Sequence, residues 1–448
     1  EQLAAAQKER AAKRAAPEPS SAAPPPKRSE TSPEPPAVER DASEQVSFHR
    51  WEEVEQVAAS SLEEILALYK SDGIVFVDPS FPLSDPRVFT RRHSLYASEL
   101  TATTWKCRAC TKRSPLPPPT THEQLAALYD PRTQAQTITC THCGTQSSMV
   151  EVATRPTGWE RPSRVRDDVT LQFDSVPWAV FRGEPRPDDV RQGGVGNCWL
   201  VCAMSCLAET PARLRRCLVT QEFTHAGVYQ VRLCHGGEWK VVTVDDSLPV
   251  NAIGCLAYLK AARRQLWVPL LEKAYAKLHG CYEALEGGTF VEAFSTLTGM
   301  PVIRIHLSRY TPPEPPPAGA AEDVVAGHTR QMEKWKKLGL DTDELYVQMY
   351  SYKQAGYAVG ASTFARDANT EAELRAKGLN VPHAYSLIEV RTLDGGSGEE
   401  QLVKLRNPNG MAGWNGPWGR DSPLWTYDLK KEVGLDGEDS GVFWMRWD

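Results

Sequence analysis

Gln192-Gly193-Gly194-Val195-Gly196-Asn197-Cys198-Trp199-Leu200 delivers one cysteine from a glycine-rich turn into an apolar run of helical length. A thiol at a helix amino terminus meets unpaired N–H groups and a partial positive charge, so its thiolate is favoured. Gln192, six residues upstream, is placed to lend a side-chain amide to a developing oxyanion. Downstream come His383, in Val381-Pro382-His383-Ala384-Tyr385-Ser386, and Asn407, in Leu405-Arg406-Asn407-Pro408. This order suits nucleophilic acyl transfer. Cys198 would attack a carbonyl, His383 would exchange the proton, and Asn407 would orient the imidazole without adding charge. Cys202 and Cys206, one and two turns beyond Cys198, read as small core residues.

A second group of thiols suggests metal. Cys107-Arg108-Ala109-Cys110 and Cys140-Thr141-His142-Cys143-Gly144 are two CxxC pairs with 29 residues between them. Four thiolates suit tetrahedral Zn²⁺, which supplies folding energy that a short segment lacks. A closed Cys₄ shell leaves no open position, so the predicted role is structural or partner-binding. His122 and His142 are substitute ligands, and four unbound thiols are the alternative.

The 448 residues carry 51 Lys and Arg against 57 Asp and Glu, a net charge of −6, which argues against nucleic acid or an anionic membrane as partner. No apolar run approaches a membrane span, and the amino-terminal residues lack the apolar region of a secretory signal. The cysteines number 11, four of them in CxxC pairs, which favours a reducing, cytoplasmic setting over a disulfide framework. The chain begins at Glu1 and reads as part of a longer protein. Residues 1–46, rich in Pro and Ala and without an aromatic residue, read as a disordered tail. Ser61–Tyr69 has helical periodicity with Ser61 as a cap. A helix is predicted over Cys198–Glu209, strands over Val228–Leu233 and Trp239–Val244, and a buried helix from about Leu266 to His279. Tyr310–Asp341, opening on Pro312, Pro313 and Pro315–Pro317, reads as a mobile excursion. From Ala384 onward strands dominate, with Trp414, Trp418, Trp425, Trp444 and Trp447 supplying core area.

Several blocks resemble calpains. Asp189–Leu200 is similar to their active-site block, as are Glu272-Lys273-Ala274-Tyr275-Ala276-Lys277, Phe294–Gly299, His383–Ser386, Arg406-Asn407-Pro408, Gly416-Pro417-Trp418 and Gly441–Met445. Phe76-Val77-Asp78-Pro79-Ser80-Phe81-Pro82 resembles the segment that leads into their core. Asn197, where most calpains carry Asp, and Val231–Cys234 point to the small-optic-lobes branch. The resemblance implies an α+β, papain-like core of two subdomains, a helical one over 47–299 bearing Cys198 and a β-rich one over 300–448 bearing His383 and Asn407. A zinc-ribbon-like insertion would occupy about residues 97–154. It implies a cytoplasmic thiol endopeptidase making limited cuts in protein substrates, with the Gln192 amide and the Cys198 N–H as oxyanion donors. In calpains, calcium bound to each subdomain aligns the triad. Here Asp189 matches one acidic ligand, but Gln265, Gly413, Arg420, Ser440 and Val442 stand where others are expected, so weak or absent calcium dependence is predicted. On that basis Gln265→Glu should strengthen calcium binding at the first site but not the second. Asn409 also replaces the tryptophan that follows Asn-Pro in most calpains. The alternative is a catalytically weak scaffold that binds partners through the zinc ribbon and the tail.

Overall fold

In a computed structural model, helix α1 (Trp51–Asp72) opens the described part of the chain. The structure describes residues 51–448 except 84, 86–87, 89–99, 102–103, 107–112, 116–136, 149–155, 157, 167–175, 252–253, 308–309, 311–312, 314, 340, 366, 395–397, 411–412, 436–440 and 448. The tail predicted over 1–46 lies outside the described residues. In α1, Val54, Ala58, Leu62, Ile65, Leu66 and Tyr69 recur at helical steps and are half-buried. That stripe runs through Ser61, which is an exposed mid-helix residue and not the predicted cap.

Strands β1 (Leu100–Thr101), β2 (Thr104–Lys106) and β3 (Arg113–Pro115) form one antiparallel sheet. Strands β4 (Thr137–Thr139) and β5 (Gln146–Ser148) form a hairpin. Next come β6 (Gly158–Glu160), β7 (Val190–Arg191) and helix α2 (Cys198–Ala208). Every α2 residue from Trp199 to Ala208 is buried, as an all-round apolar helix requires. Helix α3 (Pro211–Cys217) starts on its proline. Strands β8 (Val228–His235) and β9 (Glu238–Asp245) pair across Gly236 and Gly237, both at positive φ as a tight hairpin turn demands. Strand β10 (Leu248–Val250) pairs with β6, and β11 (Lys260–Ala261) with β7. Helices α4 (Trp267–His279) and α5 (Phe290–Thr298) complete this portion. Leu200, Met204, Val231, Trp267, Leu271 and Tyr275 belong to its shared core. Asp78 fastens the Phe76–Pro82 segment by accepting from Lys277 Nζ at 2.7 Å and donating its own N–H to Asp245 at 2.7 Å.

Helix α6 (Glu322–Leu338) occupies the stretch predicted as a mobile excursion. Glu322 and Asp323 at its start and Lys336 and Lys337 at its end suit the helix dipole, and Gly339 closes it in the left-handed conformation. None of its residues is buried, but His328, Met332 and Trp335 recur at helical steps and are half-buried, a stripe that the prolines upstream obscured. Then follow α7 (Thr342–Gln354), β12 (Val359–Thr363), α8 (Ala368–Ala376), β13 (His383–Asp394), β14 (Glu399–Arg406), α9 (Tyr427–Glu432) and β15 (Val442–Arg446). The four strands make one antiparallel sheet in the order β12-β13-β14-β15. Alternation sends Val403, Leu405 and Phe443 into a cluster with Leu345 and Met349 of α7. Leu402 and Trp444 cluster instead with Trp418 and Trp425. Trp414 and Trp447 pack at the margin of the α7 cluster.

Candidate active site

The turn that carries Cys198 is clamped at several points. Gly194 N–H donates to Ala257 O at 3.0 Å, and Gly287 N–H to Gly196 O at 3.0 Å. A Cβ on Gly193 would stand 1.7 Å from Tyr258 O, so only glycine fits there. Asn197 precedes α2 but does not cap it. Its Nδ2 turns inward and donates to Glu272 Oε1 at 2.8 Å, while Leu259 N–H donates to Glu272 Oε2 at 3.0 Å. The Asn197 side chain therefore leaves the N–H groups of Cys198 and Trp199 uncapped. Trp199 anchors the first turn, donating to Leu285 O at 2.9 Å.

His383 begins β13 and Asn407 directly follows β14, so the hairpin brings the two side by side. His383 Nε2 donates to Asn407 Oδ1 at 2.8 Å, with Asn407 3% exposed. That bond commits Nε2 and leaves Nδ1 for proton exchange. Helix α2 packs on this sheet. Ser386 Oγ donates to Cys202 O at 3.2 Å and Cys206 Sγ to Val359 O at 3.3 Å. Burial pushes the Cys198 thiol up, against the backbone groups of Ala384, Trp199 and Cys198 itself, which pull it down. Burial also pulls His383 down, against its bond to Asn407. Gln192 donates its backbone N–H to Pro408 O at 2.9 Å and its side-chain amide to Val195 O at 3.1 Å, which leaves the second amide hydrogen of Nε2 for another acceptor.

Sequence reasoning missed two supports. Arg406 is 1% exposed and donates to Ser205 Oγ at 2.7 Å, Val190 O at 3.1 Å and Pro187 O, which ties β14 to the segment leading into the nucleophile turn. Glu272 is buried within α4, and burial pushes its carboxyl up to about 8. The available signals were a carboxylate within the mostly buried α4 and an arginine closing the mostly buried end of β14.

Of the predicted zinc ligands, Cys107 and Cys110 lie outside the described residues. They fall between Lys106 and Arg113, which are paired across β2 and β3. Cys140 and Cys143 lie between β4 and β5, with Gly144 at φ +72° and its N–H on Cys140 O at 2.9 Å. Ser114 of β3 donates to Cys140 Sγ at 3.3 Å, which joins the two hairpins. These residues suit one half of a thiolate set. Among the described residues, no three His, Cys, Asp or Glu side chains gather as metal ligands.

Among the described residues at the positions where the resemblance implied calcium ligands, the side chains supply one carboxylate, that of Asp189. Asp189 already holds the Arg263 guanidinium. Gln265 is a neutral amide spanning Arg182 N and Ala262 O. Gly413 has no side chain, Arg420 is cationic, Val442 lies opposite Arg406 in the sheet, and Ser440 lies outside the described residues.

The arrangement is chemically that of a thiol-dependent acyl-transfer site. A family profile described as calpain family cysteine protease matches residues 134–448, and the chain belongs to that family. Relatives include the calpain-type cysteine protease DEK1 of Zea mays, 35% identical over 292 residues, covering 64% of this chain and 12% of the maize protein. Calpain-8 of Homo sapiens is 32% identical over 293 residues, 64% of this chain and 36% of its own. Calpain-A of Drosophila melanogaster is 33% identical over 299 residues, 64% and 31% respectively. The chain thus spans a minor part of each of these relatives. Among the described residues, no helix is long and apolar enough to cross a membrane.

Proposed function

We propose that the chain is the catalytic core of a cytoplasmic cysteine endopeptidase that makes limited cuts in protein substrates. Its papain-like core has two subdomains, 47–299 and 300–448, that meet at α2 and β13. The observation that carries the reading is the His383–Asn407 bond of 2.8 Å on a hairpin whose sheet is fastened to the helix opened by Cys198 through Ser386 and Cys206. Cys198 Sγ attacks the peptide carbonyl carbon, and the Cys198 N–H and the Gln192 amide receive the oxyanion. His383 passes the thiol proton to the leaving amine as the C–N bond breaks, and water then hydrolyses the thioester through the same imidazole. Asn407 holds the ring. Cys107, Cys110, Cys140 and Cys143 would hold a structural zinc, and the ribbon is a docking point for a protein partner.

The experiment is labelling by a thiol-reactive peptide epoxide, alongside casein cleavage. Cys198→Ser should abolish both and leave the melting transition in place, because a hydroxyl is too weakly acidic to ionise beside an imidazole. Activity that persists in this variant overturns the assignment. The scaffold alternative draws on the burial that raises the Cys198 thiol and lowers His383, since both effects favour the neutral pair. It predicts labelling of Cys198 no faster than of an ordinary thiol.

A further inference from the structure

The clamp on Asp189 is built like an ion site with an arginine as the ion. Asp189 is 1% exposed and closes the turn Pro187–Asp189. Arg263 meets it fork to fork, Nε on Oδ1 at 2.7 Å and Nη2 on Oδ2 at 2.5 Å. The same guanidinium donates from Nη1 to Arg182 O at 2.7 Å and from Nη2 to Glu184 O at 3.0 Å. Two carboxylate and two carbonyl oxygens, all from residues 182–189, therefore converge on one fixed cation. Arg263 and Arg264 hold left-handed backbone, φ 59° and 51°, a costly conformation for two successive non-glycine residues. Arg182 returns the contact, its Nε donating to Arg263 O at 2.8 Å.

This clamp sits at the root of the catalytic machinery. Pro187 O and Val190 O, which flank Asp189, are the carbonyls that Arg406 grips from β14. Arg406 precedes Asn407, the partner of His383. On the other side, β7 runs from Val190 to Arg191 against β11 and leads into Gln192. The shape of segment 182–192 thus sets where Asn407 and Gln192 stand relative to Cys198. A carboxylate left without its counter-charge here would be a buried, unpaired charge, and the segment would rearrange around it.

We propose that Arg263 is a tethered cation that substitutes for a divalent ion at Asp189, so that the two parts of the active site are aligned permanently without calcium. The proposal builds on the thiol-protease reading. It also changes one expectation. Gln265→Glu alone should not create a calcium site, because the oxygens remain occupied by the guanidinium.

The test uses the whole chain and the variants Arg263→Ala, Arg263→Lys, Gln265→Glu and Arg263→Ala/Gln265→Glu, titrated with CaCl₂ by calorimetry and labelled with the peptide epoxide in calcium or chelator. The wild type and Gln265→Glu should give no binding heat and the same labelling rate in either condition. Arg263→Ala should label about tenfold more slowly or worse, within the usual range of coupling between sites. Arg263→Lys, which keeps the charge but loses the fork, should fall between. The double variant should bind calcium and recover labelling in a chelator-reversible way. A role in fold stability alone would lower melting temperature and yield without creating calcium-dependent labelling. The proposal is overturned if the wild type binds calcium in a manner abolished by Asp189→Asn. It is equally overturned if folded Arg263→Ala labels at the wild-type rate, or if the double variant ignores calcium. Should Arg263→Ala fail to fold, Arg263→Lys and the double variant refolded in calcium supply the same readouts. If the protease reading itself fails, no protein labels faster than an ordinary thiol, while calorimetry still reports on the cation site.

Discussion

Glu272→Gln should make the protein more stable than the wild type at high pH, by an amount that grows with pH in a defined window. The carboxyl is 2% exposed and is moved by burial from 4.5 to about 8, against the N–H of Leu259 and the amide of Asn197. Between those values the unfolded carboxyl is ionised while the folded one keeps its proton. The unfolded state then binds fewer protons, so stability is full below 4.5 and is lost as pH rises toward 8. At about 1.4 kcal/mol per pH unit, the loss accumulates to about 5 kcal/mol. Glutamine does not titrate, and it can accept from Leu259 N–H while its amide meets Asn197 with that side chain rotated. Chemical denaturation of both proteins from pH 5 to 9 reads the difference. It should climb by roughly 1.4 kcal/mol per unit and level off above about 8. A difference independent of pH would refute the argument, because it would mean that the buried carboxyl is ionised in the folded state throughout.

Arg406→Ala should destabilise the chain by about 3 kcal/mol or more, since it removes the buried guanidinium that bonds Val190 O, Ser205 Oγ and Pro187 O and leaves Pro187 O to Ser205 Oγ alone, and a denaturation curve checks it. In the Cys198→Ser background, His383 should titrate below 6.5 by NMR. Its contribution to stability is then present above 6.5 and lost as pH falls through the lowered folded value, so a midpoint at or above 6.5 contradicts the burial argument. Elemental analysis should find a single zinc ion per chain, and Cys107→Ser or Cys140→Ser should lose it. Retention in both variants places the ligands elsewhere.

How legible the molecule was depends on where the information lay. The run from Gln192 to Leu200 announces a turn entering a helix, and α2 does begin at Cys198. The strand pair β8–β9 and helix α4 fall within a residue or two of their predicted limits, because alternation and apolar period are local. Ser61 misled because it has the chemistry of a cap, whereas the apolar stripe that decides the matter continues upstream to Val54. Helix α6 was hidden behind its prolines, though its terminal charges and Gly339 were visible. Asp189 was noted, but its partner was not. The left-handed backbone at Arg263 follows from tertiary packing across residues far apart in sequence, which no spacing encodes.

The hairpin that joins His383 to Asn407 makes their separation along the chain a free variable. His383 lies at the root of one arm and Asn407 at the root of the other, while the Asp394↔Glu399 pair closes the far tip. Their separation of 24 in sequence measures arm length, not the 2.8 Å between the two side chains. Evolution or an engineer can splice a reporter peptide into the tip without touching the chemistry. Deleting one residue within an arm is another matter, since every side chain between the cut and the tip then swaps faces. The enzyme is therefore modular at one end of this ribbon and unforgiving at the other.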